Sequence, residues 1–178
     1  SYVLGEPFAL GNPRFKIAEG GSVLWLSGED SERTIGSRAR LLLAGRDNPP
    51  LEKLRNFRVR VARGMNLETS ENQDALIAMI RDTSRSMATP PEVGVFDPSR
   101  AFFPGFDGGP KDGYPGRAAL ERIRKETGLK LLVLLVHETK PSRTDKDTRA
   151  HAERAAGGII FSIADAPVSF ERRDDRTT

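Results

Sequence analysis

The sequence contains no cysteine and only two histidines, His137 and His151. Without cysteine the chain has neither disulfide bonds nor metal sites built from thiolates, and two imidazoles do not make a structural zinc site. No apolar run approaches the roughly 20 residues that cross a bilayer. The first residues show no basic segment followed by an apolar one, as a signal peptide would. We therefore expect a soluble, cytoplasmic protein that does not bind membranes.

The sequence also lacks a large excess of charge of one sign. It has 28 basic and 25 acidic residues, for a net charge of +3, which does not by itself indicate a nucleic-acid-binding protein. The basic residues are unevenly distributed, however, and the 26 residues from 38 to 63 hold eight of them: Arg38, Arg40, Arg46, Lys53, Arg55, Arg58, Arg60 and Arg63. They form either solvated faces of surface elements or a phosphate-binding surface, and the pattern allows both.

Short apolar segments alternate with segments of helical periodicity. Apolar runs predict strands at Ser22–Leu26, Phe57–Val61, Val93–Asp97 and Leu129–Val136. Helical spacing predicts one helix capped by Asp30 or Ser31, a second opened by Ser70 or Asn72, and a third over Arg117–Thr127. This alternation predicts an α/β fold, a mostly parallel sheet with helices on both faces, in one domain that spans residues 1–178.

The last predicted strand, the long loop and the segments after residue 137 carry further signals. The last predicted strand is the most apolar run, so we expect it to be central and buried on both faces. Between the second and third predicted helices, a long loop is expected from Ser99 to about Gly116; its phenylalanines either pack on the protein or stack on bases. Glu138–Arg154 is polar and predicts a loop, although its length also permits a short helix. A short helix from Gly157 to Asp165 and a strand at Val168–Arg172 are expected to follow.

Polar side chains follow three of the predicted strands. Glu29 and Asp30 follow the first, Asp97 closes the third, and His137 follows the fourth. Ligands of open α/β sheets bind beyond the carboxyl ends of the strands, so these residues converge if their strands are neighbours. A carboxylate there can hold Mg²⁺ through water or activate a nucleophilic water, and an apolar strand closed by Asp is the Walker B pattern of phosphate chemistry.

Each of these residues also has a structural interpretation. Glu29 and Asp30 can be acids favoured by a helix dipole, Asp97 can form a turn with Pro98, and His137 can simply end a strand. The coincidence of three polar strand ends favours the functional interpretation.

Five segments, in order, resemble the RecA-like ATPase core of the RepA-like family, the hexameric replicative helicases of plasmids and phages. They are GEPFALGNPRFKI from Gly5, VLWLSGEDSERTIGSRARLLL from Val23, VGVFDPSRAFFPG from Val93, LLVLLVHETK from Leu131 and AERAAGGIIFSIADAPVSFER from Ala152. The resemblance covers nearly the whole chain. It implies a RecA-like ATPase that uses ATP and Mg²⁺ and acts as a homo-oligomeric ring on DNA, expected to be single-stranded.

The resemblance also implies roles for the residues at the strand ends. Glu29 would polarise the attacking water, and Asp97 would hold Mg²⁺ at the β- and γ-phosphates through water. Asp30 would line the nucleotide site beside them. His137 would sense the γ-phosphate and relay its loss to the following loop.

The resemblance extends to the polar segment after the fourth predicted strand. Lys140 and Arg143 would contact DNA phosphates. Arg154 would be the arginine finger that reaches a neighbouring subunit's site, with Arg149 as the second candidate.

The sequence departs from the family in one respect, since the 178 residues contain no G-x-x-x-x-G-K-[ST] motif. The glycine-rich stretch Gly108–Gly113 has the wrong spacing and lacks Ser or Thr after Lys111. The family's P-loop precedes the segment that matches Ser1–Gly5. We therefore expect that the chain starts inside or after the first helix, that the first strand and P-loop are missing, and that a central edge of the sheet is exposed.

Two consequences for function follow from this departure. The chain alone is expected to bind nucleotide poorly and to be inactive as an ATPase. Two alternatives stay open: a degenerate, non-hydrolysing RecA fold that binds DNA or a protein partner, and a different α/β enzyme in which Asp97 and Glu29 bind a metal.

Overall fold

The fold is built from strands that alternate with helices along the chain. The computed structural model describes residues 20–44, 51–107 and 114–135. The strands are β1 (Val23–Ser27), β2 (Phe57–Val61), β3 (Val93–Asp97) and β4 (Leu131–Leu134). The α-helices are α1 (Glu32–Ala44), α2 (Ser70–Ser86) and α3 (Tyr114–Thr127), and 3₁₀ helices lie at Leu51–Asn56, Ser99–Ala101 and Pro104–Asp107.

The strands form one parallel sheet in the order β2-β1-β3-β4. In its register Ser27 lies opposite both Val61 and Asp97. The chain moves from β1 to one side and then back across the sheet to β3 and β4. Because parallel crossovers are right-handed, α1 lies on one face and α2 with α3 on the other. The predicted α/β fold with a parallel sheet and helices on both faces is confirmed.

The main core lies between the sheet and the face that carries α2 and α3. Leu24, Leu26 and Phe96 point to this face and are fully buried, packed in one cluster with Leu76, Ile80 and Ile123. Leu76, Ile77 and Ile80 recur at helical spacing along α2, and all three are buried. Helical spacing therefore identified the buried face of α2 correctly.

The ends of the helices differ from the prediction in instructive ways. Helix α2 begins at Ser70, but its N-cap is Thr69, whose hydroxyl accepts a hydrogen bond from the Asn72 N–H. It ends at Ser86, so Met87 is buried as the C-cap residue and not as part of the helix. Helix α3 begins at Tyr114, three residues before the predicted start.

The early start of α3 is compatible with the proline in its first turn, because the N–H that proline lacks has no partner within a helix there. Gly128 adopts a φ of 76° and ends α3 where the sequence predicted a stop.

The segment after β3 is more ordered than the predicted long loop. It contains the 3₁₀ helices at Ser99–Ala101 and Pro104–Asp107. Phe102 and Phe103 are fully buried and contact the Phe96 ring at centroid distances of 5.3 and 5.8 Å. These two phenylalanines pack on the protein and are not available for stacking on bases.

The prediction for the last strand was wrong in extent and in burial. Strand β4 covers Leu131–Leu134 only, and it lies at the edge of the sheet formed by residues 20–135 that the structure describes. Leu131 is 54% exposed, above a shallow apolar groove that Val23, Val93 and Val95 also line. Since β4 pairs only with β3 among the described strands, its outer side is not covered by another described strand. An apolar run alone does not reveal this asymmetry.

Among the clustered basic residues, Arg38 and Arg60 each contact a side chain of another residue. The Arg60 Nε donates to the Thr83 hydroxyl at 3.0 Å, and Arg38 forms an ion pair with Asp30. These contacts favour the structural interpretation for both arginines. No helix in the described part of the chain is long and apolar enough to cross a membrane.

The junction of β1 with the segment after β3 predicts the effect of enlarging Gly28. A Cβ at this position would lie 2.4 Å from the Ala101 Cβ and 3.2 Å from the Phe102 ring. We expect Gly28→Ala to lower the free energy of unfolding by about 1–3 kcal/mol, the usual cost of overpacking. Chemical denaturation of the purified protein measures this change.

Gly36→Ala is the matched control for Gly28→Ala, because Gly36 lies in α1 and its Cβ would meet nothing within 4 Å. We expect it to stabilise the protein by about 0.5–1 kcal/mol, since alanine favours a helix over glycine. Equal effects of the two substitutions would contradict the close approach at Gly28.

The contact between α2 and α3 generates a second prediction, at Arg122. Its guanidinium donates to the carboxylate of Asp74 and to Gln73 Oε1 at 3.1 Å, both on α2, and to Glu126 at 2.9 Å within α3. Hydrogen bonds to the Asp74 and then the Glu126 carboxylates raise the pKa of Arg122 above its usual value. We expect Arg122→Ala to lower Tm, measured by thermal unfolding.

The control for Arg122→Ala is Arg117→Ala. Arg117 also pairs with an acid of α3, Glu121 at 3.1 Å, but an exposed pair within one helix contributes little. The Tm should therefore fall less than with Arg122→Ala. A similar fall in both variants would show that Arg122 does not join the two helices.

Candidate functional site

The carboxyl ends of β1 and β3 lie side by side. Ser27 and Asp97 are paired across the two strands, and the Gly28 N–H donates to the Asp97 carbonyl oxygen at 2.8 Å. The pairing therefore continues one residue beyond β1. Glu29 and Asp97, predicted to converge if their strands were neighbours, lie at the same edge of the sheet.

The chain turns from β1 into α1 through hydrogen bonds of two serines. The buried Ser27 hydroxyl accepts from the Asp30 N–H at 3.1 Å. The Ser31 hydroxyl accepts from the Thr34 N–H at 3.2 Å, which makes Ser31 the cap of α1. Of the two predicted caps, the structure selects Ser31, so the carboxylate of Asp30 is not needed to cap the helix.

The two adjacent acids have different partners. Asp30 forms an ion pair with Arg38 of α1, so its carboxylate is tied to the helix that follows. Glu29 Oε1 accepts from the Arg100 guanidinium at 3.3 Å, and its side chain is 49% exposed. Glu29 is therefore the acid that contacts the segment after β3, and Asp30 is the one with a local structural partner.

Asp97 ends β3 in a more enclosed position. The residue is half-buried, and its Oδ1 atom is buried. The next residues turn at once into the 3₁₀ helix Ser99–Ala101, in which the Ala101 N–H donates to the Pro98 carbonyl at 3.1 Å. Hydrogen bonds therefore fix the backbone on both sides of Asp97.

The oxygen ligands at this edge suit Mg²⁺, which favours carboxylates and water. Among residues 20–44, 51–107 and 114–135, however, no three His, Cys, Asp or Glu side chains are grouped to hold a metal by themselves. Mg²⁺ is usually held by one or two carboxylates together with substrate phosphates. Asp97 and Glu29 have the ligand type that suits an ion of this kind.

The end of β4 also reaches this edge. The Leu135 N–H donates to the Phe96 carbonyl at 3.0 Å, and the Ser99 N–H donates to the Leu135 carbonyl at 2.8 Å. The chain therefore leaves β4 directly beside the turn that follows Asp97.

Several predicted functional residues lie outside the residues that the structure describes. They are His137, Lys140, Arg143, Arg149 and Arg154, together with the predicted loop at 138–154 and the predicted elements at 157–172. Their roles stay predictions.

Sequence reasoning missed Gly28 and Arg100. A glycine directly after an apolar strand is a signal of close backbone approach, and it identifies Gly28 in retrospect. No pattern in the sequence marks Arg100, because its contact with Glu29 depends on β1 and β3 being neighbours.

Comparison with known proteins agrees with this geometry. Residues 1–143 match the model of a family described as AAA domain. No curated protein matches the chain. The family match covers 143 of 178 residues, and the parallel sheet with acids at the ends of β1 and β3 is consistent with a RecA-like ATPase core. The chain belongs to the AAA domain family, whose members are ATPase-type domains.

Proposed function

We propose that this chain is the ATP-binding and ATP-hydrolysing motor domain of a replicative DNA helicase of the RepA-like type, or of a related DNA-processing ATPase. It works as a homo-oligomeric ring on single-stranded DNA and uses ATP with Mg²⁺. The observation that carries the proposal is the placement of Glu29 and Asp97 at neighbouring carboxyl ends of a parallel sheet, in a chain of the AAA domain family.

The two acids have the environments that their proposed roles require. Asp97, with one oxygen buried and the backbone fixed on both sides, holds the magnesium ion of the nucleotide through water. Such an ion would supply positive charge that offsets the charge of the nucleotide phosphates. Glu29 is half-exposed, so its carboxylate can reach a water molecule beyond the γ-phosphate and accept its proton.

The backbone fixes the spacing of these acids. The hydrogen bond from Gly28 to Asp97 and the paired positions Ser27 and Asp97 hold the end of β1 against the end of β3. A general base acts only within hydrogen-bond reach of its proton, so such a fixed junction favours catalysis.

The remaining proposed roles belong to residues that the structure does not describe. His137 comes two residues after Leu135, which hydrogen-bonds the turn beyond Asp97. This position supports a role as γ-phosphate sensor. Arg154, or Arg149, is the proposed arginine finger.

The first test is Glu29→Gln, which keeps the shape of the side chain and removes the base. We expect the rate of ATP hydrolysis to fall by about 10²-fold or more, the usual contribution of a general base, with ATP still bound. The measurement is steady-state hydrolysis of Mg-ATP by the full protein, including any residues that its gene encodes before Ser1.

Glu121→Gln is the control, because Glu121 is an exposed acid of α3 far along the chain from the site. Its activity should equal that of the wild type. Wild-type activity in Glu29→Gln would exclude the catalytic role of Glu29.

One observation favours a second candidate, a degenerate RecA-fold module that binds DNA or a protein partner without hydrolysis. The 178 residues contain no G-x-x-x-x-G-K-[ST] motif, which in P-loop ATPases supplies the backbone cradle and the lysine for the phosphates. Titration of the full protein with Mg-ATP separates the candidates. Tight binding supports the motor, and absence of binding supports the degenerate module.

The proposed DNA contacts make a separate prediction. Replacing Lys140 and Arg143 together by Ala should weaken single-stranded DNA binding and reduce the slope of log K against log salt by about 1.4, since each phosphate contact contributes about 0.7. Fluorescence anisotropy with a labelled oligonucleotide at several salt concentrations measures both effects.

The control for this double variant is the replacement of Arg124 and Lys125 by Ala, which removes equal charge from exposed positions in α3. An equal loss of affinity in the control would show that DNA binding depends on net charge alone and not on the segment after β4.

A further inference from the structure

Arg100 makes a contact that neither the sequence pattern nor the family match assigns. Its guanidinium lies 3.3 Å from Glu29 Oε1, and the two side chains are 39% and 49% exposed. An ion pair this exposed adds little to stability. The position of this ion pair is more informative than its strength. It joins Glu29, the proposed general base, to the segment that follows Asp97, the proposed magnesium ligand.

Arg100 projects from a turn whose backbone is firmly held. It lies in the 3₁₀ helix Ser99–Ala101, where the Ser99 N–H donates to the Leu135 carbonyl at 2.8 Å and the Phe102 N–H donates to Ser99 at 3.0 Å. The neighbouring Phe102 side chain is fully buried. The backbone of Arg100 is therefore held between a hydrogen bond to the end of β4 and the buried side chain of Phe102.

The same turn packs against the backbone that leads to Glu29. Ala101 lies so close to Gly28 that a Cβ on Gly28 would be 2.4 Å from the Ala101 Cβ. Arg100 and Glu29 thus extend from two backbone segments in direct contact. The main-chain positions of both residues are set by packing, and only their side chains are left to be oriented.

A glutamate at a half-exposed strand end has several rotamers, whereas a general base must be held within hydrogen-bond reach of its water. We propose that Arg100 is a positioning residue for Glu29, an inference that rests on the proposed ATPase function. The guanidinium engages one carboxylate oxygen, Oε1, and leaves the other for the attacking water. Asp30 forms its ion pair with Arg38 of α1, whereas Arg100 pairs with Glu29.

The test compares Arg100→Gln, Arg100→Lys and Arg85→Gln in the full protein. Arg85 pairs with Asp82 on the exposed surface of α2 and serves as the control. We expect Arg100→Gln to lower kcat for ATP about tenfold with KM and the affinity for a non-hydrolysable Mg-ATP analogue unchanged, since misplacement of a reacting group lowers rate and not binding. Arg100→Lys should recover part of kcat, and Arg85→Gln should match the wild type.

A double-variant cycle makes the inference specific to Glu29. If Arg100 acts through this carboxylate, adding Arg100→Gln to Glu29→Gln should cause no further loss of kcat. A further tenfold loss in the double variant would show that Arg100 acts independently of Glu29. A weakened affinity for the analogue in Arg100→Gln would show that it binds the nucleotide phosphates instead.

The failure of this inference differs from the failure of the proposed function. If the wild type hydrolyses ATP and Glu29→Gln does not, an unchanged kcat in Arg100→Gln overturns the role of Arg100 alone. If the wild type does not hydrolyse ATP, both proposals fall together.

Discussion

The junction between β1 and β3 is the constraint on which the candidate site depends. Two parallel strands in register carry Ser27 and Asp97 side by side, and the next residue, Gly28, continues the pairing through its N–H. The backbone at Gly28 also touches Ala101 in the turn after β3. Gly28 can have no side chain here, because a Cβ would overlap the Ala101 Cβ. The next residue, Phe102, is fully buried, so this segment has little room to shift.

The same junction explains why the adjacent acids Glu29 and Asp30 have different partners. The Ser27 hydroxyl holds the backbone N–H of Asp30, and Arg38 of α1 pairs with its carboxylate. Asp30 is thereby drawn into the start of α1, while Ser31 provides the cap. Glu29 is left facing the segment after β3, where Arg100 is its partner. The difference between the acids therefore arises from the direction of the chain after β1 and not from their chemistry.

Sequence patterns predicted elements well where a segment has clear limits at both ends. The bounds of β2 and β3 were correct because an alternating strand and a short run closed by Asp and Pro each have clear limits. The prediction for β4 extended too far because an apolar run has no internal signal of where pairing begins or ends. The start of α3 was missed because Pro115 was taken for a loop residue, although proline is compatible with the first turn of a helix.

Only part of the candidate site could be predicted from the sequence, because one of its contacts depends on the order of the strands in the sheet. Acids at the ends of apolar strands are visible in the sequence, so Glu29 and Asp97 could be identified before the strand order was known. Arg100 could not, because a contact between residues 29 and 100 exists only once β1 and β3 are neighbours. The contact that no sequence pattern marked is thus the one that depends on the strand order, and it brings a positive charge to the acid that follows β1.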